Sequence, residues 1–284
     1  MSKTILMTGA GGFVGGNLKP FLEDNGFKVI APKSKDYDFT DLKTVEDLVS
    51  TYRPDLFVLA GFYGISDPKN IAADIEEKNL AIFNNFVKTA SGKKIITFGS
   101  GAEFDKSRAI IKAKESDLGQ VIPQDLYGHA KYAISREIKK HPNVLNLRLF
   151  GVYGPNEFDS RFITHASKCN LAGKPITMRQ NVIFDYITVE DLCRITLEFI
   201  NKTPKAQFIN ITPDKGISLS QIAAIINEIS AYKSDIVIAK KGLANEYTGD
   251  NSVLKAELPG FAFTSYKDGI KNFYNYLKEK ANAE

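Results

Sequence analysis

Lys3-Thr-Ile-Leu-Met-Thr-Gly-Ala-Gly-Gly-Phe-Val-Gly15 is the stretch that decides the fold. The apolar run Ile5–Thr8 predicts a β-strand, and the apolar spacing of Phe13–Asn25 predicts an α-helix. The glycines between them repeat every third residue, at Gly9, Gly12 and Gly15. Glycine permits a tight turn and a close approach of the backbone to a pyrophosphate, and a helix amino terminus offers N–H groups to phosphates. The stretch therefore predicts a dinucleotide-binding strand–turn–helix unit.

Strands and helices alternate beyond this unit. The further predicted strands are Val29–Ala31, Leu56–Ala60, Lys94–Phe98, Asn143–Leu149 and Gln207–Ile211. The further predicted helices are Leu42–Thr51, Ile71–Ala90 and Leu126–Lys140. Such alternation predicts an α/β fold with a Rossmann-type, doubly wound parallel sheet. Because ligands bind beyond the carboxyl ends of such strands, Thr8-Gly9, Leu59-Ala60-Gly61 and Gly99-Ser100-Gly101 should rim one crevice.

The two parts of the chain differ in regularity. We expect residues 1–154 to form the dinucleotide-binding Rossmann domain. Residues 155–284 are less regular and predict a smaller, mixed α/β lobe that binds the substrate. One or two segments of this lobe, at about residues 182–211, are expected to return to the Rossmann domain.

The segment Tyr127-Gly-His-Ala-Lys131 places a phenol and an ammonium group one helical turn apart. Side chains at i and i+4 share a helix face, so both can reach one site. A free tyrosine titrates near pH ~10, and a neighbouring cation lowers that pKa. We therefore expect Lys131 to lower the pKa of Tyr127 toward the range that is useful for acid–base catalysis at neutral pH.

Composition argues against several classes of protein. The net charge is +4 over 284 residues without a long basic block, which argues against a nucleic-acid partner. The two cysteines, Cys169 and Cys193, lack metal-ligand spacing, so we expect no metal site and a reducing, cytoplasmic location. The sequence shows no signal-peptide pattern and no apolar run near ~18 residues, so we expect no membrane partner.

In their order along the chain, the motifs resemble those of the extended short-chain dehydrogenase/reductases that act on nucleotide sugars, the NAD-dependent epimerase/dehydratase family. Thr8–Gly15 resembles the cofactor fingerprint, and Leu59-Ala60-Gly61 stands where the family has Leu-Ala-Ala. Arg148-Leu-Phe-Gly-Val-Tyr-Gly-Pro155 is similar to the family's Arg-x-Phe-Asn-Val-Tyr-Gly-Pro. Taken with the glycine pattern, the resemblance implies that the cofactor contacts are Gly9, Gly12, Phe13, Val14, Gly15, Lys33, Asp38, Phe39, Leu59, Ala60, Gly61, Asn79, Lys131 and Val152.

The same resemblance implies catalytic roles for Ser100, Tyr127 and Lys131. Tyr127 would give or take the proton on a sugar oxygen while a hydride passes between nicotinamide and sugar carbon. Ser100 would hold that oxygen, and Lys131 would hold the nicotinamide ribose. Lys33 lies at or beside the place where members that prefer NAD carry an acidic residue. We therefore predict NADP(H) as the cofactor, with NAD as the alternative.

Departures from the family patterns narrow the reaction. Dehydratases carry an Asp-Glu pair directly after the catalytic hydroxyl residue, whereas this chain has Gly101-Ala102. GDP-fucose synthases, which the chain also resembles, epimerise with a cysteine and a histidine, and Ala102 and Arg161 stand at those positions. We predict an NADPH-dependent reductase of a nucleotide-linked 4-keto-6-deoxy sugar, in surface-polysaccharide biosynthesis. A nucleotide-sugar 4-epimerase with bound NAD is the alternative, and a non-catalytic NADP-binding regulator is a third reading.

Basic side chains that suit phosphate oxygens lie in the expected substrate lobe. The candidate substrate-binding residues are Ala102, Glu103, Arg161, Lys168 and Arg179. Two orientations are open to Glu103, one toward substrate hydroxyls and one toward solvent.

Many relatives dimerise through the helices around Ile71–Ala90 and Leu126–Lys140, so the resemblance also implies a homodimer.

Overall fold

The computed structural model describes residues 2–64 and 71–283. Its strands are β1 (Thr4–Thr8), β2 (Lys28–Ile30), β3 (Leu56–Leu59), β4 (Ile95–Ser100), β5 (Ile110–Ala113), β6 (Val144–Leu149), β7 (Gly151–Tyr153), β8 (Ile176–Asn181), β9 (Ile183–Phe184), β10 (Tyr186–Thr188), β11 (Phe208–Ile211), β12 (Ile217–Ser218), β13 (Ile236–Leu243) and β14 (Tyr247–Gly249). Its α-helices are α1 (Phe13–Asp24), α2 (Leu42–Tyr52), α3 (Ile75–Ala90), α4 (Leu126–Ile138), α5 (Phe162–Leu171), α6 (Val189–Asn201), α7 (Leu219–Ile229), α8 (Ser252–Glu257) and α9 (Tyr266–Ala283). Short 3-10 helices cover Gly101–Phe104 and Glu115–Asp117.

Six strands form one sheet in the order β11-β6-β4-β3-β1-β2. All neighbours in this sheet are parallel. The chain passes from β1 to β2 on one side and then crosses to β3 on the other side of β1. Such a reversal is the point at which α/β sheets bind ligands. The predicted Rossmann-type α/β fold is confirmed.

The predicted strands and helices of this sheet are all present, and most differences at their ends are small. The largest difference is at α3, which begins at Ile75 and not at Ile71. The N–H of Ile75 donates to the Ala72 oxygen at 3.2 Å. This bond closes a turn ahead of the helix, and the apolar spacing of the sequence does not distinguish that turn from helix.

The two faces of the sheet carry separate cores, because alternate side chains of a strand point to opposite faces. On β1, Ile5 and Met7 point to one face and Leu6 points to the other. Helices α1 and α6 cover the first face with buried residues that include Leu18 and Leu192. Helices α2, α3 and α4 cover the second with residues that include Val45, Phe83 and Ile134.

A third core and three smaller sheets involve the carboxy-terminal part. Strands β12, β9, β14 and β5 form one mixed sheet, β10 pairs with β7, and β13 pairs with β8. Helices α5, α7 and α9 pack around a core that includes Ile163, Ile222 and Phe273. Strand β11 lies in the main sheet, and the expected return of one or two segments at about residues 182–211 stays a prediction. The division into residues 1–154 and 155–284 stays a prediction.

Within the described residues, none of the helices is long and apolar enough to cross a membrane. In the same part of the chain, His, Cys, Asp and Glu side chains form no group of three or more that could hold a metal ion. Both cysteines are free. Burial raises the pKa of the Cys193 thiol to about 12.

Candidate active site

The turn between β1 and α1 is in direct backbone contact with the turn after β3. Gly9 has a φ of +74°, a region that favours glycine. A Cβ on Gly9 would lie 2.3 Å from the Gly61 nitrogen, and one on Gly61 would lie 2.4 Å from Gly9 Cα. A Cβ on Gly15 would lie 2.2 Å from the Gly9 oxygen. Sterics therefore require glycine at these three positions.

The amino terminus of α1 is open to an anion. Gly12 caps the helix without a side chain that could accept from the first N–H groups, and the first turn carries no acidic residue. Phe13 and Val14, which follow it, are half-buried. Unpaired N–H groups and the helix dipole favour negative charge at such an end. This cradle of glycine backbone and free helix terminus fits the pyrophosphate of a dinucleotide cofactor.

The loop after β2 carries the predicted adenosine contacts. Lys33 is exposed, and in the described residues its ammonium group forms no ion pair. Asp38 accepts hydrogen bonds from the Thr40 hydroxyl at 2.6 Å and the Thr40 N–H at 2.9 Å, which lower the pKa of Asp38. Phe39 is buried against Phe86, with ring centroids 5.6 Å apart. Lys33 is thus accessible to a ligand, whereas the Phe39 ring belongs to the core.

Further predicted cofactor residues are Leu59 and Ala60 at the end of β3, Asn79 on α3 and Val152 on β7. Asn79 is fully buried on α3. Its Oδ1 accepts from the Tyr63 N–H at 2.8 Å, and its Nδ2 donates to the Tyr63 oxygen at 3.2 Å. Asn79 therefore holds the loop after β3. Leu59 is buried, and Ala60 and Val152 are half-buried against the first core.

Ser100 and Tyr127 are presented by adjoining turns. Ser100 ends β4 and caps the 3-10 helix Gly101–Phe104, where its Oγ accepts from the Ala102 N–H at 3.2 Å. Tyr127 lies in the first turn of α4, which Asp125 caps by accepting from the Gly128 N–H at 2.9 Å. A Cβ on Gly128 would lie 2.8 Å from the Ala102 oxygen. The start of α4 therefore packs directly on the turn that carries Ser100.

Lys131 is buried one turn further along α4. Its Nζ donates to the Phe98 oxygen at 2.8 Å and lies 4.9 Å from the Phe62 ring centroid. Burial lowers the pKa of Lys131 to about 8, and the charge of Glu103 opposes that fall. An ammonium in this position can titrate near neutral pH and can donate to an oxygen at the sheet edge.

The predicted lowering of the Tyr127 pKa by Lys131 is wrong. Burial raises the pKa of Tyr127, and the Ser100 hydroxyl and the charge of Arg161 oppose the rise without cancelling it. The cation that lies over the Tyr127 ring is Lys106, whose Nζ is 5.3 Å from the ring centroid. The expectation failed because desolvation outweighs the nearby charges.

Tyr247 is a second phenol at the site, and the sequence patterns did not identify it. It lies on β14 and is 9% exposed, with its ring centroid 5.2 Å from that of Phe150. A Cβ on Gly101 would lie 2.6 Å from Tyr247 Oη. Burial raises the pKa of Tyr247, and the Ser100 hydroxyl opposes the rise. No motif surrounds Tyr247, and its position depends on the pairing of β14 with β5 and β9.

The Glu103 side chain points neither toward substrate hydroxyls nor toward solvent, the two orientations that the sequence left open. Its side chain is 0% exposed, and Oε2 accepts from Arg148 Nε at 2.9 Å. The neighbouring Ala102 is also buried, at 1% exposure. Both predicted substrate contacts therefore lie beneath the surface of the site.

The basic residues predicted to bind substrate are not equivalent. Arg161 occupies the N-cap position of α5 without a side-chain hydrogen bond to the helix. Its charge acts to lower the pKa of Tyr127 and of Tyr247, so it lies near the candidate catalytic groups. Lys168 forms an exposed ion pair with Asp159 at 2.7 Å. Arg179 lies exposed on β8, beside β13. A fourth ionisable group, Glu157, was not predicted; burial raises its pKa to about 8, and it accepts from Thr164 Oγ1 at 2.7 Å.

Comparisons with known proteins agree with this arrangement. A sequence profile of the NAD dependent epimerase/dehydratase family matches residues 5–212. GDP-mannose 3,5-epimerase 1 of Oryza sativa subsp. japonica is 23% identical over 99% of this chain and 83% of its own length. A GDP-mannoheptose C4 reductase of Campylobacter jejuni, solved with NADP bound, superposes with a TM-score of 0.81 at 20% identity over 98% of each chain. UDP-glucose 4-epimerase of Thermotoga maritima, solved with UDP-glucose, gives a TM-score of 0.80 at 21% identity over 98% of this chain and 99% of its own.

The solved structures at this level of identity establish the fold. The profile match spans most of the chain, from Ile5 in β1 to Thr212, the residue after β11. It includes the glycine turn, Ser100, Tyr127 and Lys131. The chain therefore belongs to the NAD dependent epimerase/dehydratase family, as its motifs predicted.

Proposed function

We propose that the protein uses NADPH to reduce the keto group of a nucleotide-linked 4-keto-6-deoxy sugar, with Tyr127 as the proton donor. The observation that carries the proposal is the close packing of Tyr247 and Phe150 against Gly101. A Cβ there would lie 2.6 Å from Tyr247 Oη and 2.7 Å from a ring carbon of Phe150. Gly101 and Ala102 stand where dehydratases carry an acid–base pair and supply neither an acid nor a base, so the proton transfer is assigned to Tyr127.

Tyr127 can act as the proton donor in a reduction. A phenol whose pKa is raised above ~10 keeps its proton at neutral pH, and reduction requires that proton at the carbonyl oxygen. Ser100 would donate a hydrogen bond to the same oxygen and fix its position. A bound nicotinamide supplies the hydride. One hydride and one proton then add across the C=O bond, which gives the alcohol and a tyrosinate that solvent reprotonates.

The cofactor proposal rests on the glycine cradle and on Lys33. Gly9, Gly12, Phe13, Val14 and Gly15 would hold the pyrophosphate, and the exposed Lys33 ammonium would attract a 2′-phosphate. Titration of the protein with NADPH and with NADH in parallel tests this. We expect tighter binding of NADPH, and Lys33→Glu should reduce the difference. Tighter binding of NADH by the unaltered protein would contradict the assignment.

The activity is tested with a panel of 4-keto nucleotide sugars and NADPH, with products analysed by mass spectrometry. We expect one substrate class to gain two hydrogens with stoichiometric loss of NADPH. The variant Tyr127→Phe serves as the control for uncatalysed reduction. Consumption of NADPH by none of the keto sugars would refute the proposed reduction.

A nucleotide-sugar 4-epimerase is the second candidate, and the fold match to UDP-glucose 4-epimerase of Thermotoga maritima favours it. Oxidation, rotation of the keto sugar and reduction would use Tyr127 twice, with NAD held throughout. Incubation with UDP-sugars and no added cofactor separates the two candidates. Interconversion of epimers supports the epimerase, and its absence together with NADPH-dependent reduction supports the reductase.

A non-catalytic regulator and a homodimer are two further proposals. A non-catalytic NADP-binding regulator would bind the cofactor saturably without turnover over the whole keto-sugar panel.

A homodimer would use the outer surfaces of α3 and α4, which are joined within the protomer by a hydrogen bond between His129 and Glu76. Light scattering at micromolar concentration should then give twice the mass of one chain.

A further inference from the structure

Glu103 lies beneath the proposed active site, in a buried network that proton transfer does not use. The side chains of Glu103 and Arg148 are both 0% exposed. Glu103 Oε1 accepts from the Ser100 N–H at 2.8 Å, and Oε2 accepts from Ser135 Oγ at 2.7 Å and Arg148 Nε at 2.9 Å. A Cβ on Gly99 would lie 2.6 Å from Glu103 Oε1, so glycine at that position makes room for the carboxylate.

The three donors belong to the elements that carry the site. Ser100 ends β4, and Arg148 lies near the end of the neighbouring β6. Ser135 lies on α4, one turn after Lys131 and two turns after Tyr127, since residues four apart share a helix face. One carboxylate therefore links the strand end that presents Ser100 to the helix that presents Tyr127.

The far side of the network is also anchored. Arg148 Nη1 donates to Asn210 Oδ1 at 3.1 Å, and the guanidinium lies 4.7 Å from the Phe104 ring centroid. The Asn210 N–H in turn donates to Glu115 Oε1 at 2.7 Å. Because hydrogen bonds between ionised partners are strong in a dry interior, Glu103 has one defined position.

We propose that Glu103 is a positioning residue, which acts through Ser100 to fix the distance between the Ser100 hydroxyl and the Tyr127 phenol at the reacting oxygen. The inference rests on the proposed reduction for its kinetic test. A displacement of about 1 Å in a catalytic group can cost ~10²-fold in rate. A purely structural ion pair would affect stability and leave the Ser100-dependent part of the rate unchanged.

A double-mutant cycle distinguishes the two roles. We expect Glu103→Gln to lower kcat by about 10–100-fold, with little change in the KM for NADPH. In a Ser100→Ala background the same change should cost less than about 3-fold, because the group through which it acts is gone. Equal losses in both backgrounds would overturn the proposal. Glu115→Gln is the matched control, since Glu115 joins the same network without contacting Ser100.

Amide hydrogen exchange gives a readout that does not require turnover. The Ser100 N–H should exchange at least about 10-fold faster in Glu103→Gln and at the original rate in Glu115→Gln. Unchanged exchange at Ser100 in a folded variant would overturn the proposal. If Glu103→Gln does not fold, Ser135→Ala removes one donor to the same carboxylate and should change exchange at Ser100 in the same direction, by less. Absence of turnover in the unaltered protein would refute the reduction and leave this measurement valid.

Discussion

The two ends of the crevice are built from different parts of the chain. At the cofactor end, Gly9, Gly15 and Gly61 make a site of backbone atoms, and the nearest obstacles to a Cβ are backbone atoms as well. At the substrate end, the groups around Ser100 and Gly101 are side chains that are distant in the sequence, such as Tyr247 on β14 and Phe150 between β6 and β7. The first kind of site can be inferred from a short stretch of sequence, whereas the second exists only after the strands have paired.

The largest effect should fall at the substrate end. Tyr127→Phe removes the proton donor, so kcat should fall by roughly 10²–10⁴, while NADPH binds as before. Tyr132→Phe is the control, because Tyr132 is a buried phenol on the same helix. Single-turnover absorbance of NADPH measures both variants. Equal rates for the two variants would contradict the assignment of Tyr127 as the proton donor.

The next effect tests the cofactor end. Gly15→Ala places a Cβ 2.2 Å from the Gly9 oxygen, and a backbone obstacle cannot rotate away. We expect a cost of ~1–3 kcal/mol, which corresponds to about 5–150-fold weaker NADPH binding if it falls on the bound state. Gly11→Ala is the matched control, since a Cβ there has no atom within 4 Å. Isothermal titration calorimetry of both variants with NADPH checks this prediction. Similar affinities would contradict it, because the turn would then accommodate the added Cβ.

A smaller effect should follow from the corresponding change at the substrate end. Gly101→Ala also meets atoms within 3 Å, at the ends of the Tyr247 and Phe150 side chains. Side chains can shift by rotation, so we expect a decrease in kcat of only about 3–10-fold and unchanged NADPH affinity. A greater effect on cofactor binding than on kcat would contradict the separation of the two ends.

The smallest effect is a shift of the pH profile. The charge of Arg161 lowers the pKa of Tyr127, so Arg161→Gln should raise that pKa. Reduction needs the protonated phenol and is lost as pH rises through the Tyr127 pKa, so the alkaline limb of kcat should move to higher pH. Lys168→Gln, which breaks an exposed pair with Asp159, should leave the limb in place. A limb that moves to lower pH in Arg161→Gln would contradict this sign.

The fold could be predicted because its signals are local. Strand-length apolar runs and helical spacing place β1, α1 and their successors, and the glycines identify the turn. The short strands β5, β9, β12 and β14 were not predicted. They lack the regular alternation with helices that identified the equally short β2 and β3, and they are defined by the strands with which they pair.

Part of the candidate site follows sequence motifs. Ser100, Tyr127 and Lys131 could be inferred from the family pattern, but Tyr247 could not, since its place depends on strand pairing. The burial of Glu103 was missed because its partner, Arg148, is on another strand. The sign of the Tyr127 pKa shift was wrong for a related reason: sequence gives the neighbours of a group, whereas desolvation depends on the whole surrounding structure.

The contact between Gly9 and Gly61 has a consequence for protein engineering. Replacement of a residue by the one most common among relatives is a usual route to higher stability. At Gly61 that route would introduce alanine, the residue the family resemblance places there, and its Cβ would lie 2.4 Å from Gly9 Cα. We expect Gly61→Ala to lower the melting temperature here. The residue that is most common in the family does not fit at a position where the backbones of two turns are in direct contact.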